Sequence, residues 1–538
     1  MTDLVKISVV VAVYNPGSDL DALVTSLLAQ TMAAAEFEVI FVDDGSTDGS
    51  GERLDALARD HPGFRVTHIP NSGWPGRPRN VGIEAARGTH VYIVDHDDWL
   101  GDEALERMYA SAERNEADVV IGKEVGHGFG VPRRMFRHSI DDAKLGRDPL
   151  LALLTPHKLF RRSMLLEHGI RFPEGKRRLE DHHFVVHAYF HARRITVLAD
   201  YPTYHWVKRT GGENATGHSF DRRAYYANLR DILDIVDRHT EPGEDRDRFY
   251  AHWLRYKMIH KLLRPVFRNP GPNSRVLYDE VRTLMLERFP SSVDRHLPVG
   301  YRIVAAAVRA DRLDLVIAAA QFAHGLRLRL ELRGRKLRDG TVDLALECSF
   351  LDDAGVPLVL ARDGEIVRWV PPGQLIEGLD LQPEDLDCSD LADSAELDVF
   401  LRQQRTSLDY GHRVSLPVHE GADQTVLLTG LANVSIEMAT AAAGEPLPDG
   451  SWDVLAQVEF GGWRASMRVP GSGGGLLELE VGGGGQSVKF ASSAPPASRT
   501  TGRATRTGHL ARVHSLAHGM RLLPAYRAAK RFVRSVRR

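Results

Sequence analysis

The first hundred residues alternate between short apolar segments rich in β-branched side chains and segments with helical periodicity. The apolar runs at 7–13, 37–42, 64–69 and 90–94 predict strands, and the stretches between them place apolar side chains three and four residues apart. Strands that alternate with helices at this spacing indicate βαβ crossovers and a largely parallel sheet. Sheets of this kind bind ligands at the carboxyl ends of their strands.

Carboxylates follow the second and the fourth of these strands. In "VDDGSTD", Asp44 either accepts hydrogen bonds from a base or ribose, or belongs to an Asx turn with Gly45. In "VDHDDW", Asp95 and Asp97 form an Asp-x-Asp pair, which suits Mg²⁺ or Mn²⁺ because these hard cations prefer carboxylate oxygens and bridge them to phosphates. A lone Asp-x-Asp is more often a solvated turn, so its meaning depends on the rest of the array.

Three other features of the same region are consistent with a nucleotide site. Tyr14 follows the first strand, where it either stacks on a base or packs against its neighbours. The rigid loop "NSGWPGRPRN" carries Arg77 and Arg79, which suit a bound diphosphate. Glu180 and Asp181 in "RRLEDHHF" begin a helical run, where paired acids also serve as partners of the helix dipole.

The segments "SVVVAVYN", "VDDGSTD", "NSGWPGRPRNVGIEAARG", "VDHDD" and "LEDHHF" together resemble the ordered motifs of inverting family-2 glycosyltransferases with the GT-A fold. The loop at 71–80 is similar to one branch, the wall teichoic acid glycosyltransferases that attach β-linked N-acetylglucosamine to poly(ribitol phosphate). The resemblance covers residues 1 to about 215 closely and the later β-rich region weakly. It implies a Rossmann-like α/β GT-A catalytic domain, an α-helical linker and immunoglobulin-like β-sandwich modules that assemble a homotrimer.

The resemblance also implies a nucleotide site at the strand ends. The residues expected to hold the donor nucleotide are Ala12, Tyr14, Asp44, Asn71, Arg79 and Asp95. Trp74 departs from the branch pattern, which has a small residue at that position, and this departure leaves the identity of the sugar open.

The remaining roles concern the metal, the proton and the phosphates. By the same resemblance Asp97 contacts Mn²⁺ or Mg²⁺, Asp181 is the general base and Glu180 orients the site. The side chains expected to meet the diphosphate or an acceptor phosphate are Arg77, Lys208, Arg209, Arg133 and Arg134. Inversion needs a single displacement at the anomeric carbon, so one base and a stabilised leaving group suffice.

Periodicity and composition divide the chain into five segments. These are a GT-A domain at 1–220, a helical linker domain at 221–322, β-sandwich modules at 323–420 and 421–490, and a flexible linker with a basic amphipathic helix at 491–538. A faint repeat relates the "LDV" around Asp398 to the "WDV" around Asp453, as two related modules would.

A polyanionic acceptor needs cations near the cleft. The segments "GVPRRMFRH" and "PHKLFRR" supply Arg133, Arg134, Arg137, Lys158, Arg161 and Arg162. For about half of these residues, solvated surface is the equally good interpretation. The last 50 residues carry twelve Lys and Arg and no acid, so this tail either lies on an anionic membrane surface or is a soluble disordered extension.

Bulk properties limit the other function classes. The 69 basic and 72 acidic residues nearly cancel, which argues against nucleic acid as the main partner. Two cysteines without metal-ligand spacing fit a reduced cytoplasmic compartment. The longest early apolar run, 7–13, is too short for a signal peptide or a membrane span, so we expect a cytoplasmic enzyme at most peripheral to the inner face of the membrane.

The sequence thus predicts a metal-dependent inverting glycosyltransferase that moves a sugar, expected to be N-acetylglucosamine, from a UDP-sugar to a cell-wall polyol-phosphate polymer. One alternative is the same chemistry on another exopolysaccharide or capsule. A second alternative is a non-catalytic polymer-binding scaffold. A nucleotidylyltransferase is disfavoured because "VYNPGSD" lacks the Gly-rich basic loop after strand one.

Overall fold

The computed structural model describes residues 5–127, 131–207, 221–390, 395–404, 408–416, 418–420, 424–471, 475–483 and 487–493. Its first 207 residues build a nine-stranded sheet in which β3, β2, β1 and β4 are parallel neighbours, as the alternation predicts. The strands are β1 (Ile7–Val13), β2 (Phe37–Asp43), β3 (Phe64–His68), β4 (His90–Asp95), β5 (Trp99–Leu100), β6 (Val119–His127), β7 (Ile140–Ala143), β8 (Leu159–Arg161) and β9 (Ile195–Val207). The helices are α1 (Leu20–Leu28), α2 (Ser50–Asp60), α3 (Gly76–Ala85), α4 (Ala104–Arg114), α5 (Arg162–Glu167) and α6 (Glu180–His191).

Both faces of this sheet are buried, which explains why β1 and β2 read as continuous apolar runs. Alternate side chains of β1 point to opposite faces, so Val10 joins the core under α3 while Val9 joins the core under α1. Gly82 allows α3 to approach the sheet closely, since a Cβ there would lie 2.2 Å from Val10 Cγ1. β8 runs antiparallel between β4 and β6, and the sheet is therefore mixed beyond β4.

The predicted helical linker is confirmed. Asp221 caps α7 by accepting a hydrogen bond from the Arg223 N–H. The helices continue the core of the first domain, and α6 packs directly against α7. They are α7 (Arg222–His239), α8 (Glu244–Trp253), α9 (His260–Leu262), α10 (Pro272–Arg288), α11 (Val299–Arg309) and α12 (Leu313–Gly325), with a π-helical turn at Leu254–Ile259 between α8 and α9.

Antiparallel sheets follow, as the alternating pattern predicts. One sheet has the order β10-β11-β18, a second β13-β12-β17-β16 and a third β15-β14-β19-β21-β22 with β20 beside β19. The strands are β10 (Arg327–Arg338), β11 (Thr341–Leu351), β12 (Val359–Asp363), β13 (Ile366–Trp369), β14 (Ala395–Gln403), β15 (Asp409–Ser415), β16 (His419–Glu420), β17 (Thr425–Leu427), β18 (Thr429–Glu437), β19 (Gly450–Phe460), β20 (Trp463–Arg468), β21 (Leu476–Gly482) and β22 (Ser487–Ser493).

The pairing of these strands does not follow the predicted division at residue 420. β14 and β15 precede that point but pair into the third sheet, whereas β17 and β18 follow it and pair with β12 and β11. The repeat around Asp398 and Asp453 corresponds to β14 and β19, which are antiparallel neighbours in one sheet. The repeat therefore relates two adjacent strands of one sheet, and it does not relate two separate modules.

The C-terminal tail at 494–538, with its predicted basic helix, lies outside the described residues. Among the residues that the structure does describe, no helix combines the length and the apolar character needed to cross a bilayer.

Candidate active site

The carboxyl ends of β1, β2 and β4 meet at one edge of the sheet. Ala12 stands between Val42 on one side and Asp95 on the other in the strand register, so the residues after these strands converge. They open into a cleft of about 2100 Å³ that extends to the linker helices and the third C-terminal sheet. The predicted site residues that line the cleft are Ala12, Tyr14, Asp44, Asn71, Arg79, Asp95, Asp97, Arg134, Glu180 and Asp181.

Arg79 joins two of the predicted acids. Its Nη2 donates a hydrogen bond to Asp95 Oδ1 at 2.8 Å and its Nη1 to Asp181 Oδ1 at 2.7 Å, and the residue is only 3% exposed. Burial would raise the pKa of Asp95, but the charges of Arg79 and His157 outweigh it and hold that pKa well below its usual range. Arg79 thus fixes the relative positions of two carboxylates that come from sequence segments 86 residues apart.

His157 is a site residue that sequence reasoning missed. Its Nε2 lies 3.2 Å from Asp95 Oδ2, and its buried ring stacks on Tyr204 with centroids 4.0 Å apart. Burial lowers the pKa of His157, yet Asp95 and Glu124 raise it above its usual value overall. Because both contacts depend on the antiparallel insertion of β8 beside β4, no local signal around residue 157 could have revealed them.

The three acids after β4 differ in what they contact. Asp98 is buried and accepts hydrogen bonds from the Tyr204 hydroxyl at 2.6 Å and the Val207 N–H at 2.8 Å, so it ties the loop to β9. Burial raises the pKa of Asp98 well above its usual range. Asp95 and Asp97 line the cleft. Oxygen and nitrogen atoms of Asp95, Asp98 and His157 lie within 4.8 Å of one another, which is close enough to share a cation.

The loop at 71–74 docks onto the end of β2 through Asp44. Both Asp44 carboxylate oxygens accept hydrogen bonds from Ser72, one from its N–H and one from its hydroxyl, each at 2.8 Å. Gly45 has φ +73°, and a Cβ there would lie 2.8 Å from Asn71 N. The turn expected at Asp44 is made by its neighbour Asp43, whose Oδ1 accepts from Ser46 N–H. Asp44 is thereby held at the cleft wall, where burial raises its pKa.

Glu180 and Asp181 begin α6, after Leu179 adopts φ +65°. Burial, together with the neighbouring charge of Asp181, raises the pKa of Glu180 to about 7. Asp181 is partly exposed to the cleft and is bound by Arg79. Trp74 is buried in the wall beside Glu180, and its indole favours the charged form of that acid.

A basic wall, formed by four linker residues and Arg178 of the catalytic domain, also lines the cleft. Burial and the surrounding cations lower the pKa of Lys261 to about 6, and Lys257 on the π-helical turn has its pKa lowered to about 8. The Lys261 ammonium also lies 3.2 Å from the Tyr225 ring centroid. The residues of this basic wall are Arg178, Arg222, Lys257, Lys261 and Arg264. Mutual repulsion among them makes the wall a good receptor for anions.

The other predicted cations have different surroundings. Arg134 is ion-paired with Glu396 and Glu459 of the third C-terminal sheet, and Arg137 pairs with Glu396 and Asp398. Arg77 is exposed on α3, near enough to Asp44 to favour its charged form. Lys208 and Arg209 lie outside the described residues, as does the side chain of Arg133.

Three further cations were expected to contact the acceptor at the cleft, and the structure places them elsewhere. Lys158 is fully buried, and its Nζ donates to the Thr155 carbonyl at 2.5 Å. Arg161 binds Asp118 at 2.7 Å, and Arg162 follows it as the first residue of α5. Lys158 and Arg161 are thus held by interactions within the fold, and none of Lys158, Arg161 and Arg162 lines the cleft, so the expectation of acceptor contacts by these three residues is wrong.

Comparisons with known proteins agree with this architecture. Residues 8–201 match the family model described as glycosyl transferase family 2, and residues 222–320 match that of the glycosyl transferase TarS linker domain. The poly(ribitol-phosphate) β-glucosyltransferase of Bacillus spizizenii is 37% identical over 43% of this chain and 37% of that protein. The poly(ribitol-phosphate) β-N-acetylglucosaminyltransferase TarS of Staphylococcus aureus is 34% identical over 47% of this chain and 44% of that protein.

The matched segment spans less than half the length of either relative. Among solved structures, S. aureus TarS 1–349 in complex with UDP-GlcNAc is 27% identical, with a TM-score of 0.54 over 63% of this chain and 96% of that one. A second structure, of S. aureus TarS, has a TM-score of 0.51 over 91% of this chain and 86% of that one at 20% identity, a likeness of fold alone.

Proposed function

We propose that this chain, which matches glycosyltransferase family 2 over residues 8–201 and the TarS linker domain over residues 222–320, transfers N-acetylglucosamine from UDP-N-acetylglucosamine to a hydroxyl of a polyol-phosphate cell-wall polymer. The observation that carries this proposal is the composition of the cleft. Its sheet side presents the Asp95, Arg79 and Asp181 array, and its linker side presents the basic wall. A sugar nucleotide and a polyanion thus have complementary surfaces on either side of one cleft.

The donor would bind at the ends of β1 and β2. Tyr14 is half exposed at the cleft mouth, where its ring is available for stacking on uracil, and Asp44 and Asn71 are held beside it. The relative solved with UDP-GlcNAc supports N-acetylglucosamine, while the name of the Bacillus relative supports glucose as the second candidate. Trp74 forms the wall beside Glu180, so it is the residue through which the cleft would discriminate the two sugars.

Transfer would proceed by direct displacement. The acceptor hydroxyl oxygen forms a bond to the anomeric carbon, the bond from that carbon to the diphosphate oxygen breaks, and Asp181 takes the hydroxyl proton. Arg79 holds Asp181 in place through its 2.7 Å hydrogen bond. Glu180 lies next to Asp181 and has a pKa of about 7, so its own charge changes near neutral pH. UDP leaves with the electron pair of the broken bond.

The residues after β4 fit a hard divalent cation. Asp95 and Asp97 face the cleft with carboxylate oxygens, the ligand type that Mg²⁺ and Mn²⁺ prefer. A bound Mn²⁺ or Mg²⁺ would supply positive charge against the diphosphate as it leaves. Asp97 is the residue proposed to contact it, while His157 and Arg79 keep Asp95 ionised and oriented.

The acceptor proposal rests on the basic wall. Burial and the four other cations of the wall lower the pKa of Lys261, so an anion bound beside it would offset this repulsion. A polymer with a phosphate in every repeat would place successive charges along such a surface. The π-helical turn at Leu254–Ile259 turns Lys257 toward this side of the cleft, a typical use of such irregular turns at functional sites.

The direct test is release of UDP from a panel of UDP-sugars, with Mn²⁺ or EDTA, in the presence and absence of poly(ribitol phosphate). We expect release that needs the metal, one sugar and the polymer. Metal-dependent hydrolysis at a rate that the polymer does not change would support a glycosyltransferase and exclude this polymer as its acceptor. No release with any donor would favour the scaffold, which binds polymer equally well without UDP and metal.

The cytoplasmic location, the homotrimer and the membrane contact of the tail stay predictions. They rest on cysteine content, on the resemblance and on the charge of the last 50 residues. Sedimentation velocity of the full chain, with and without anionic vesicles, tests the last two: a monomer would exclude the trimer, and absence of co-sedimentation would exclude the membrane contact.

A further inference from the structure

Three histidines cluster where the catalytic domain meets the linker. His187 and His191 lie four residues apart on α6, and His239 is the last residue of α7. One ring nitrogen of each lies within 4.8 Å of those of the other two. The ring centroids are 5.0 Å apart for His187 and His191, 4.8 Å for His191 and His239, and 6.0 Å for His187 and His239.

The rings are held in place by their neighbours. Phe190 stacks on His239 with centroids 4.9 Å apart and an interplanar angle of 5°, and His168 stacks on His191 at 4.0 Å. All three histidines are partly buried and therefore keep access to solvent. A packed yet accessible group of imidazoles is what a metal ion needs in order to enter and to find its ligands in position.

The electrostatics of the cluster suit neutral imidazole. Burial and neighbouring positive charges lower the pKa of all three, that of His187 to about 4. The neighbouring positive charges come from Arg238 and from other histidines, and they add to the effect of burial. Neutral imidazole is the metal-binding form, and an all-nitrogen set favours borderline cations over Mg²⁺ or Mn²⁺.

We propose that His187, His191 and His239 form a transition-metal site, with Zn²⁺ as the expected ion, that joins the catalytic helix α6 to the linker helix α7. Two histidines one helical turn apart plus a third from another element is a usual ligand set for Zn²⁺, with water free to complete the tetrahedron. The site differs from the one at Asp95 and Asp97 in both place and chemistry. Along α6, His187 and His191 lie about 9 and 15 Å from Asp181.

The site would have a structural consequence for the cleft. α6 begins with Glu180 and Asp181, and α7 begins with Arg222 of the basic wall. A metal bridging the other ends of these two helices would fix the acid side of the cleft relative to its basic side. Metal binding should therefore stabilise the folded chain as well as occupy three imidazoles.

The test uses tag-free, full-length protein stripped with EDTA and titrated with Zn²⁺ against a chromophoric chelator near pH 7.5. We expect one Zn²⁺ bound per chain. This binding should be unchanged in Asp97→Asn, because that variant affects only the carboxylate site. His239→Ala should weaken this binding by roughly 100-fold, whereas the matched control His168→Ala, which removes an exposed histidine that packs on His191 without being a ligand, should change it by no more than a few-fold.

A second readout separates metal binding from a folding defect. Zn²⁺ should raise the thermal unfolding midpoint of the wild type and of His168→Ala but not that of His239→Ala. If His239→Ala does not fold, His191→Gln takes its place. Zn²⁺ binding that is absent, unchanged in His239→Ala and His191→Gln, or lost in Asp97→Asn would overturn the proposal. Co²⁺ loading offers the same comparison through its imidazole-dependent visible absorption.

Discussion

The two sides of the cleft differ in how their charged side chains are arranged. On the sheet side, two of the acids are bound by cations: Arg79 binds Asp95 and Asp181, and His157 binds Asp95. On the linker side, cations lie near one another, and burial together with these neighbouring charges lowers the pKa of Lys261 to about 6. The acid side is thus preorganised in the free protein, whereas the basic side reaches its most favourable state only with an anion present.

The largest effect should come from removing the proposed base. Asp181→Asn keeps the size of the side chain and an acceptor for Arg79 but loses the proton-accepting carboxylate, so we expect turnover to fall roughly 10³-fold. UDP-sugar affinity, measured by calorimetry, should stay close to that of the wild type. Asp148→Asn is a matched control, because Asp148 also lines the cleft but bonds the Lys144 N–H. Loss of donor binding in Asp181→Asn would remove its assignment as base.

The metal role of the acid side predicts the next effect. Asp97→Asn should raise the metal concentration for half-maximal turnover by about 10-fold or more, because a neutral amide is a poorer ligand for a hard cation. Donor binding should weaken only when metal is present. Titrations of Mn²⁺ and Mg²⁺ against UDP release check this, and an unchanged metal requirement would assign the cation to other residues.

The basic side predicts an effect on the acceptor alone. The double substitution Lys257→Gln and Lys261→Gln should raise the KM for polymer about tenfold and make it less dependent on salt, with kcat nearly unchanged. Lys336→Gln, an exposed lysine of β10, is the matched control. A fall in kcat at an unchanged KM would mean that these lysines act on the chemical step and not on acceptor binding.

The smallest effect should appear in the pH dependence. Lys261, with a pKa of about 6, is largely neutral at pH 7.5 and gains its charge as the pH falls through 6, while phosphodiesters stay ionised. Polymer affinity, measured by direct binding so that Glu180 does not contribute through turnover, should therefore rise a few-fold between pH 7.5 and 5.5. The rise should disappear in Lys261→Gln, and its persistence there would assign it to another group.

Sequence reasoning was most successful where structure is local. The parallel strands and the acids at their ends follow from period-two and helical patterns that each span about ten residues, so Asp95 and Asp97 could be located in advance. Asp98 shows the limit, because its neighbours in "VDHDD" do not reveal that Tyr204 and Val207 bury it. The roles of the individual site residues remain predictions.

The features that were missed depend on pairing across long sequence distances. His157 meets Asp95 only because β8 inserts beside β4. In the C-terminal region, alternation matches the burial of β19, but it predicts neither the continuous burial of β14 nor the pairing of these two strands. Lys158 looks like a surface cation in the sequence, yet Thr155 offers its carbonyl and hydroxyl in the interior.

The most direct test of the division between the two sides is UDP release from UDP-N-acetylglucosamine as a function of poly(ribitol phosphate) concentration, with the metal saturating. Wild-type protein and the Lys257→Gln, Lys261→Gln variant should reach the same plateau, the variant at about tenfold more polymer, while Asp181→Asn stays near zero throughout. Release that does not respond to polymer, or a variant whose plateau falls while its half-saturating concentration is unchanged, would contradict this account.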